Sequence, residues 1–504
     1  MKNLIEIARV VTRRKVRKIE IFDDNSLQNK NSKFNEFYDA LMSNKFKSDR
    51  DAANYLYGCS PTDPKYRQLK SRFRKRLLNT LFFLDVNLPN ASGYDRAYYS
   101  CNKEWALVKT LMWYDAPHTA AQLARQVLTT ALKFHFADII VNCSRILRDY
   151  YALEGDENNY EIYDNYIKEF AHILEAEIRS EELYQRVILN YFKPHSQNKG
   201  LAERIDSYCE ALVGLSEQYD SPVVFYNMYL VWIYRYEMLM DFDAMIEVCE
   251  QGEKYIEQHS TFEQEVKLTT FQSKKMSAYL HLRNYRDGRA NAEICLKKMT
   301  EGSEAWFNFM EYYFLLAMHT DNYIHAIAIF NQASENAKFR KLEDQNREKW
   351  NLFEAYCNYI IESEGKQNPV LMMQRKKSFR LSNFLSSAIL YPKELRIFSI
   401  LMIILQILFL LERKTYSGLS DRIERLKKYA NQQLRKEEYF RAVQFIRLLQ
   451  QLNKADFQAE EISNTENYLS SLQSRPFFYR GVVAELEVIP YEKLWNRVLS
   501  YLNN

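Results

Sequence analysis

The sequence predicts an all-α protein: an array of helical hairpins behind a small basic N-terminal helical module. Three observations carry that expectation. Glycine (11) and proline (10) each make up only about 2% of the 504 residues, against typical usage of ~7% and ~5%. Tight β-hairpins and glycine-rich phosphate loops need those residues for their special backbone angles. Apolar residues recur every three or four positions through segment after segment, the spacing of one helix face. Charge is uneven: residues 1–90 hold 19 Lys and Arg against 10 Asp and Glu, while the remainder holds 50 against 55, so a +9 module precedes a −5 body.

Apolar content of 47% and charged content of 27% are those of an ordinary globular chain. Tyrosine (37) and phenylalanine (30) are abundant and fall in helical segments, where large rings fill the gaps between packed helices. The seven cysteines, Cys59, Cys101, Cys143, Cys209, Cys249, Cys295 and Cys357, form no C-x-x-C and no zinc spacing. Buried, reduced thiols in a cytoplasmic protein are the expectation. The opening stretch, MKNLIEIARVVTRRKVRK, lacks the long apolar core and small-residue cleavage site of a secretion signal.

In the basic module three helices are expected. KFNEFYDALMSN places Phe34, Phe37, Leu41 and Met42 on one face. SDRDAANYLYG starts at a Ser48 cap and ends at Gly58. The third helix opens with Asp63 as N-cap and Pro64 at the first helical position. Its apolar stripe is Tyr66, Leu69, Phe73, Leu77, Leu81 and Leu84; Arg67, Lys70, Arg72, Arg74, Lys75 and Arg76 cover the rest. A basic third helix suits a helix-turn-helix-like contact with nucleic acid phosphates or a DNA groove. It equally suits an acidic protein surface, or a solvated face packed on the next hairpin. A second cluster, Arg13, Arg14, Lys15, Arg17 and Lys18, adds to the cationic footprint or forms an arm.

Further along, three segments align: DFDAMIEVCEQG from Asp241, NYRDGRANAEIC from Asn284 and NYIHAIAIFNQA from Asn322. Each opens on a polar residue followed by an aromatic, Phe242, Tyr285 or Tyr323. Small or modest residues follow three, seven and ten positions on: Met245, Cys249 and Gly252; Gly288, Ala292 and Cys295; Ala326, Phe330 and Ala333. A long helical segment precedes each. The unit is therefore helix, short turn opening on a polar–aromatic pair, helix. The aromatic would wedge between the two helices, and the small residues would let the second helix approach its neighbours.

This pattern resembles the tetratricopeptide (TPR) repeat family, best over residues 222–335. Weaker copies occur at HFADIIVNCSRI (Phe136, Cys143) and EYFRAVQFIRLL (Tyr439, Ala442). The unit is longer than the family's usual period, and the tryptophan–leucine–glycine signature of the first helix is missing. A related helical-hairpin solenoid fits as well. The resemblance implies a right-handed superhelical solenoid whose concave groove binds a peptide or helix of a protein partner. Asn227, Tyr234, Lys275 and Asn308 lie on the first helices of the hairpins and are the groove candidates; ordinary surface or intra-repeat contacts are the alternative.

Breaks rich in proline, glycine and polar residues at 193–200 and 362–369 divide the chain into a module over 1–90, hairpins over 91–200, TPR-like repeats over 201–365, and further repeats with a terminal helical cap over 366–504. The cap is IPYEKLWNRVLSYLNN, with Tyr491, Leu494, Trp495, Val498 and Leu499 on one face.

Catalytic patterns are absent from the sequence: no P-loop, no G-x-G-x-x-G, no H-E-x-x-H and no G-x-S-x-G. His319 and His325, six apart, do not share a helix face well. His135 and Cys143, eight apart, could share one, but Cys143 holds a repeat packing position. No catalytic residue, cofactor or metal is expected. In RIFSILMIILQILFLLER the uninterrupted run Ile397–Leu411 would span ~22 Å as a helix, short of a ~30 Å hydrocarbon core. Ser399 and Gln406 lie on one stripe, so a buried helix with one narrow edge facing a groove or water is expected, and no membrane segment.

The function this supports is a non-enzymatic scaffold or regulatory adaptor. The repeat body would hold a protein partner, and the basic module a second partner, nucleic acid or an acidic protein. Two alternatives remain: a DNA-binding regulator with a TPR-like sensor domain, and the sensor subunit of a multi-gene bacterial system, such as a defence module, whose enzyme is another chain.

Overall fold

A computed structural model describes residues 33–43, 45–46, 48–81, 92–191, 200–365, 367–374, 379–386, 396–434 and 437–503. Among these residues the chain is all-α, with no strand. It divides into two compact units, residues 1–171 and 172–504.

The first unit begins with α1 (Lys33–Met42), α2 (Asp49–Tyr57) and α3 (Pro64–Leu81). Phe37, Leu41, Ala52, Ala53, Leu56, Tyr66, Phe73 and Leu77 form their core. The ends follow the expected chemistry. Ser48 and Asp51 form a reciprocal capping box at the start of α2. Gly58 closes it in the left-handed region at φ 61°. At the start of α3 the Asp63 carboxylate accepts from the Lys65 amide at 2.8 Å. Three further helices, α4 (Gly93–Trp113), α5 (Pro117–Phe134) and α6 (Ala137–Glu154), pack consecutively, and α7 (Glu157–Tyr191) carries the chain into the second unit.

The second unit continues with α8 (Leu201–Gln218), then three hairpins. These are α9 (Pro222–Leu239) with α10 (Phe242–Gln258), α11 (Glu265–Leu282) with α12 (Tyr285–Lys298), and α13 (Glu304–His319) with α14 (Tyr323–Glu335). Each helix packs on the next in sequence, and α11 also packs on α13. The three turns are one device. A residue one or two positions past the first helix, Met240, Arg283 or Asp321, takes φ between 53° and 60°. The next amide reaches back five residues: Asp241 to the Tyr236 carbonyl at 3.0 Å, Asn284 to Tyr279 at 3.1 Å, Asn322 to Ala317 at 2.9 Å. This is the Schellman closure. His135 and Phe136 repeat it between α5 and α6, with a 3.0 Å bond to Ala131. The second helices bury the expected small positions. Met245, Cys249, Ala292, Ala326 and Ala333 are fully buried. A Cβ added at Gly252 would come within 2.7 Å of the Phe271 ring, and one at Gly288 would collide with Leu316.

The rest of the unit is α15 (Asp344–Glu364), α16 (Pro369–Met373), α17 (Leu381–Ser386), α18 (Arg396–Glu412), α19 (Leu419–Gln433), α20 (Phe440–Lys454), α21 (Glu466–Ser474) and α22 (Tyr491–Asn503). A continuous core runs from Met276 to Val498. In α18, Ser399 and Gln406 are 3% and 4% exposed. The expected open edge is absent: the polar stripe is covered, and Gln406 donates to the Phe384 carbonyl of α17 at 2.7 Å. Among the described residues no helix is long and apolar enough to cross a membrane.

After α21 the chain does not go straight into its last helix. Residues 475–490 run almost without helix, apart from one 3₁₀ turn at Val483–Glu485. Phe477, Tyr479, Val483, Leu486, Val488 and Ile489 are nevertheless buried. Helix α22 then packs on α18, α20 and α21. It also reaches back along the chain: Lys493 donates to the His319 carbonyl at 2.8 Å, and the Tyr501 and Tyr359 hydroxyls lie 2.8 Å apart.

Candidate functional site

Helix α3 holds seven cations and no anion over eighteen residues. Its apolar stripe faces α1 and α2, which leaves the cations on the remaining surface. Two of them serve the fold. Lys70 donates to Asp49 at 2.6 Å, a carboxylate that also accepts from the Tyr66 hydroxyl at 2.7 Å, and the two bonds together hold its pKa below the usual carboxylate value against the opposing effect of burial. Arg76 lies 5.0 Å over the Phe34 ring. Arg67, Arg72, Arg74 and Lys75 are exposed, and Lys65, in the first turn of the helix, is exposed beside them. The cluster Arg13, Arg14, Lys15, Arg17 and Lys18 lies outside the described residues.

Three of the four groove candidates are committed to internal contacts. Asn227 is buried and donates to Ser180 Oγ at 2.9 Å, pinning α9 to α7. Lys275 is 7% exposed and pairs with Glu253 at 2.6 Å. Tyr234 is packed edge-on against Tyr191 at 4.7 Å, with the Lys274 ammonium 4.3 Å over its ring, and burial pushes its phenol up. They point inward because wide first helices, rich in large side chains, are covered on more than one face. Asn308 on α13 is exposed.

Elsewhere on α11 and α13 the chain covers its own helices, through His281, Glu311 and His319. Tyr479 donates its amide to His281 Nε2 at 3.0 Å and its hydroxyl to Glu311, whose other oxygen accepts from Lys349 at 2.5 Å. Phe477 stacks on His281 (ring centroids 5.6 Å apart) and meets the tilted ring of His319 at 4.5 Å. His319 Nε2 donates to the Glu487 carbonyl at 2.6 Å. No periodicity marks residues 475–490, so sequence reasoning had no signal for this, apart from the aromatic run Phe477, Phe478, Tyr479.

Both histidines are neutral for the same reason. His281 donates Nδ1–H to the Ser277 carbonyl at 2.6 Å and accepts on Nε2, and burial lowers its pKa to about 4. His319 falls to about 3 by burial, and its Nδ1 has no hydrogen-bond partner among the described residues.

Burial pushes the thiols of Cys59, Cys101, Cys143, Cys209, Cys249 and Cys295 up, which keeps them protonated. Cys143 is fully buried, and desolvation pushes it up to about 12, the opposite of an activated nucleophile. His135, its suggested partner, is the exposed left-handed residue that ends α5. Among the described residues no cluster of histidine, cysteine and carboxylate side chains could hold a metal ion.

No family model, curated protein or solved structure matches the chain.

Proposed function

We propose that this protein is a non-enzymatic scaffold or regulatory adaptor: a TPR-like solenoid of helical hairpins that holds a protein partner, with a basic N-terminal module that docks on a polyanionic one. The observation that carries the reading is the exposed face of α3. Arg67, Arg72, Arg74 and Lys75 are not used by the three-helix core, and the helix has no anion of its own to neutralise them. These four cations, with Lys65 exposed beside them on the same helix, form a surface for recognition by shape and charge. The repeated αL turn and the close-packed small positions support the hairpin array.

A second reading, a DNA-binding regulator, is favoured by the arrangement of α2 and α3. A short capped helix, a turn centred on Gly58 to Asp63, and a basic helix follow one another around a single small core. One experiment addresses both readings. The full chain is titrated with fluorescent duplex DNA and, separately, with an acidic peptide, across a salt series. DNA binding through the four cations should weaken with a log–log slope of about −3.6. The variant with Arg67, Arg72, Arg74 and Lys75 all changed to Gln should lose binding without a change in melting temperature. Binding of the peptide alone supports the adaptor, and binding of neither at low salt removes the role of α3.

A further inference from the structure

In the second unit a cavity of about 320 Å³ lies between the 475–490 segment, the start of α20 and the C-terminal end of α9. That is the lower end of the volumes of small-molecule sites. Its apolar lining includes Met238, Phe440, Phe478 and Leu486. A methionine thioether and two phenyl rings adapt to an apolar body of varied shape.

Three guanidinium groups also line the cavity beside three carboxylates, Glu437, Glu485 and Glu487, and the guanidinium groups are not equivalent. Arg441 is spent: it holds Glu487 and Glu492 and the carbonyls of Leu472 and Arg475. Arg480 holds Glu485 and the Tyr191 carbonyl. Arg475 is different. Its side chain is 45% exposed and gives a single N–H to Glu437 at 2.5 Å. The guanidinium rests 4.5 Å over the Phe440 ring. The rest of its planar fork has no acceptor among the described residues, although such a fork is shaped to hold an anion through two parallel bonds. Glu437, its one partner among the described residues, is 28% exposed on a single 3₁₀ turn, so an incoming anion competes with one partly solvated carboxylate.

We propose that this cavity binds a small amphipathic anion. Its apolar body would lie against Met238, Phe440, Phe478 and Leu486, and its carboxylate, sulfonate or phosphate head on Arg475. The site is separate from α3, so its success or failure leaves the proposed docking function untouched.

The probe is 8-anilinonaphthalene-1-sulfonate, an aromatic body with one anionic head, titrated into the full-length chain and followed by fluorescence. Saturable binding of one probe per chain is expected. R475Q, at an exposed position, should weaken it about tenfold, the loss of a charged hydrogen bond. A484W, which fills the cavity from its lining, should abolish it. Competition by decanoate, phenylacetate and adenosine monophosphate then sorts an aliphatic from an aromatic or a nucleotide ligand. Failure to saturate, binding that survives R475Q, or a probe that none of the three displaces overturns the proposal; R475Q keeps the test decisive should A484W fail to fold.

Discussion

His319 shows how a single side chain takes its character from what covers it. In the sequence it is one of eight scattered histidines. In the structure it is fully buried at the end of α13, and burial opposes its protonation first, with the cations Arg283 and Lys493 nearby acting in the same direction. His281 shares the fate at about 4. Both pKa values are depressed below the unfolded value near 6.5, so the unfolded chain binds more protons between pH 6.5 and about 4. The stability these histidines contribute is whole above pH 6.5 and is lost as pH falls toward their folded values, by about 1.4 kcal/mol per pH unit for each. Urea unfolding followed between pH 7 and 4.5 should show that slope, and His319→Gln should remove about half of it. An unchanged slope in the variant would show that other groups govern the acid limb. Gln406 makes the same point differently. That it needed a partner was readable from an apolar run; that the partner is a backbone carbonyl of α17 was not, because residues 22 positions apart meet only in the packed state.

At the scale of elements, helix starts and stops were the most legible part of the chain. Ser48, Gly58, Asp63 and Pro64 act locally, through bonds to residues within a few positions, and the structure uses them as expected. The polar–aromatic openings at Asp241, Asn284 and Asn322 likewise mark real helix starts. Their partner was invisible: the left-handed residue before each, which is Met, Arg or Asp where glycine is the common choice. Glycine in this chain is spent partly on contact. Gly288 of α12 lies against Leu316 and Tyr279, so Gly288→Ala should cost about 1 kcal/mol net, overpacking of 1–3 kcal/mol outweighing the gain in helix propensity. Gly214 of α8 is exposed with open space around it, so Gly214→Ala should stabilise by up to ~1 kcal/mol. Thermal melts of the two variants should move in opposite directions; a stabilised Gly288→Ala would mean that α12 has room to spare.

At the scale of the whole molecule, the second unit is tied together by contacts across long sequence separations. Arg441 of α20 binds Glu487, which is 4% exposed, and Glu492 of α22. Removing one partner of a buried pair leaves a charge without solvent or counterion. Arg441→Met should therefore cost about 3–5 kcal/mol, and adding Glu487→Leu should recover most of that loss, measured by denaturant titration. A double variant no more stable than the single one would show that Arg441 acts through its carbonyl contacts instead. The groove positions failed as open-surface markers for a related reason. Asn227 and Lys275 lie on the first helices as expected, yet Ser180 and Glu253 meet them there, and residues 475–490 cover other positions of α11 and α13.

The sequence by itself determined the all-α class, most helix limits, the buried small positions of the hairpins and the cationic character of α3. All of these depend on periodicity and on interactions between near neighbours, which a linear pattern records. Only the tertiary structure decided which cations of α3 are left exposed, that α18 has no open edge, and that residues 475–490 fold back over α11 and α13. Those outcomes depend on the burial of one segment by another far away in the chain, and helical spacing says which residues seek cover without saying what provides it.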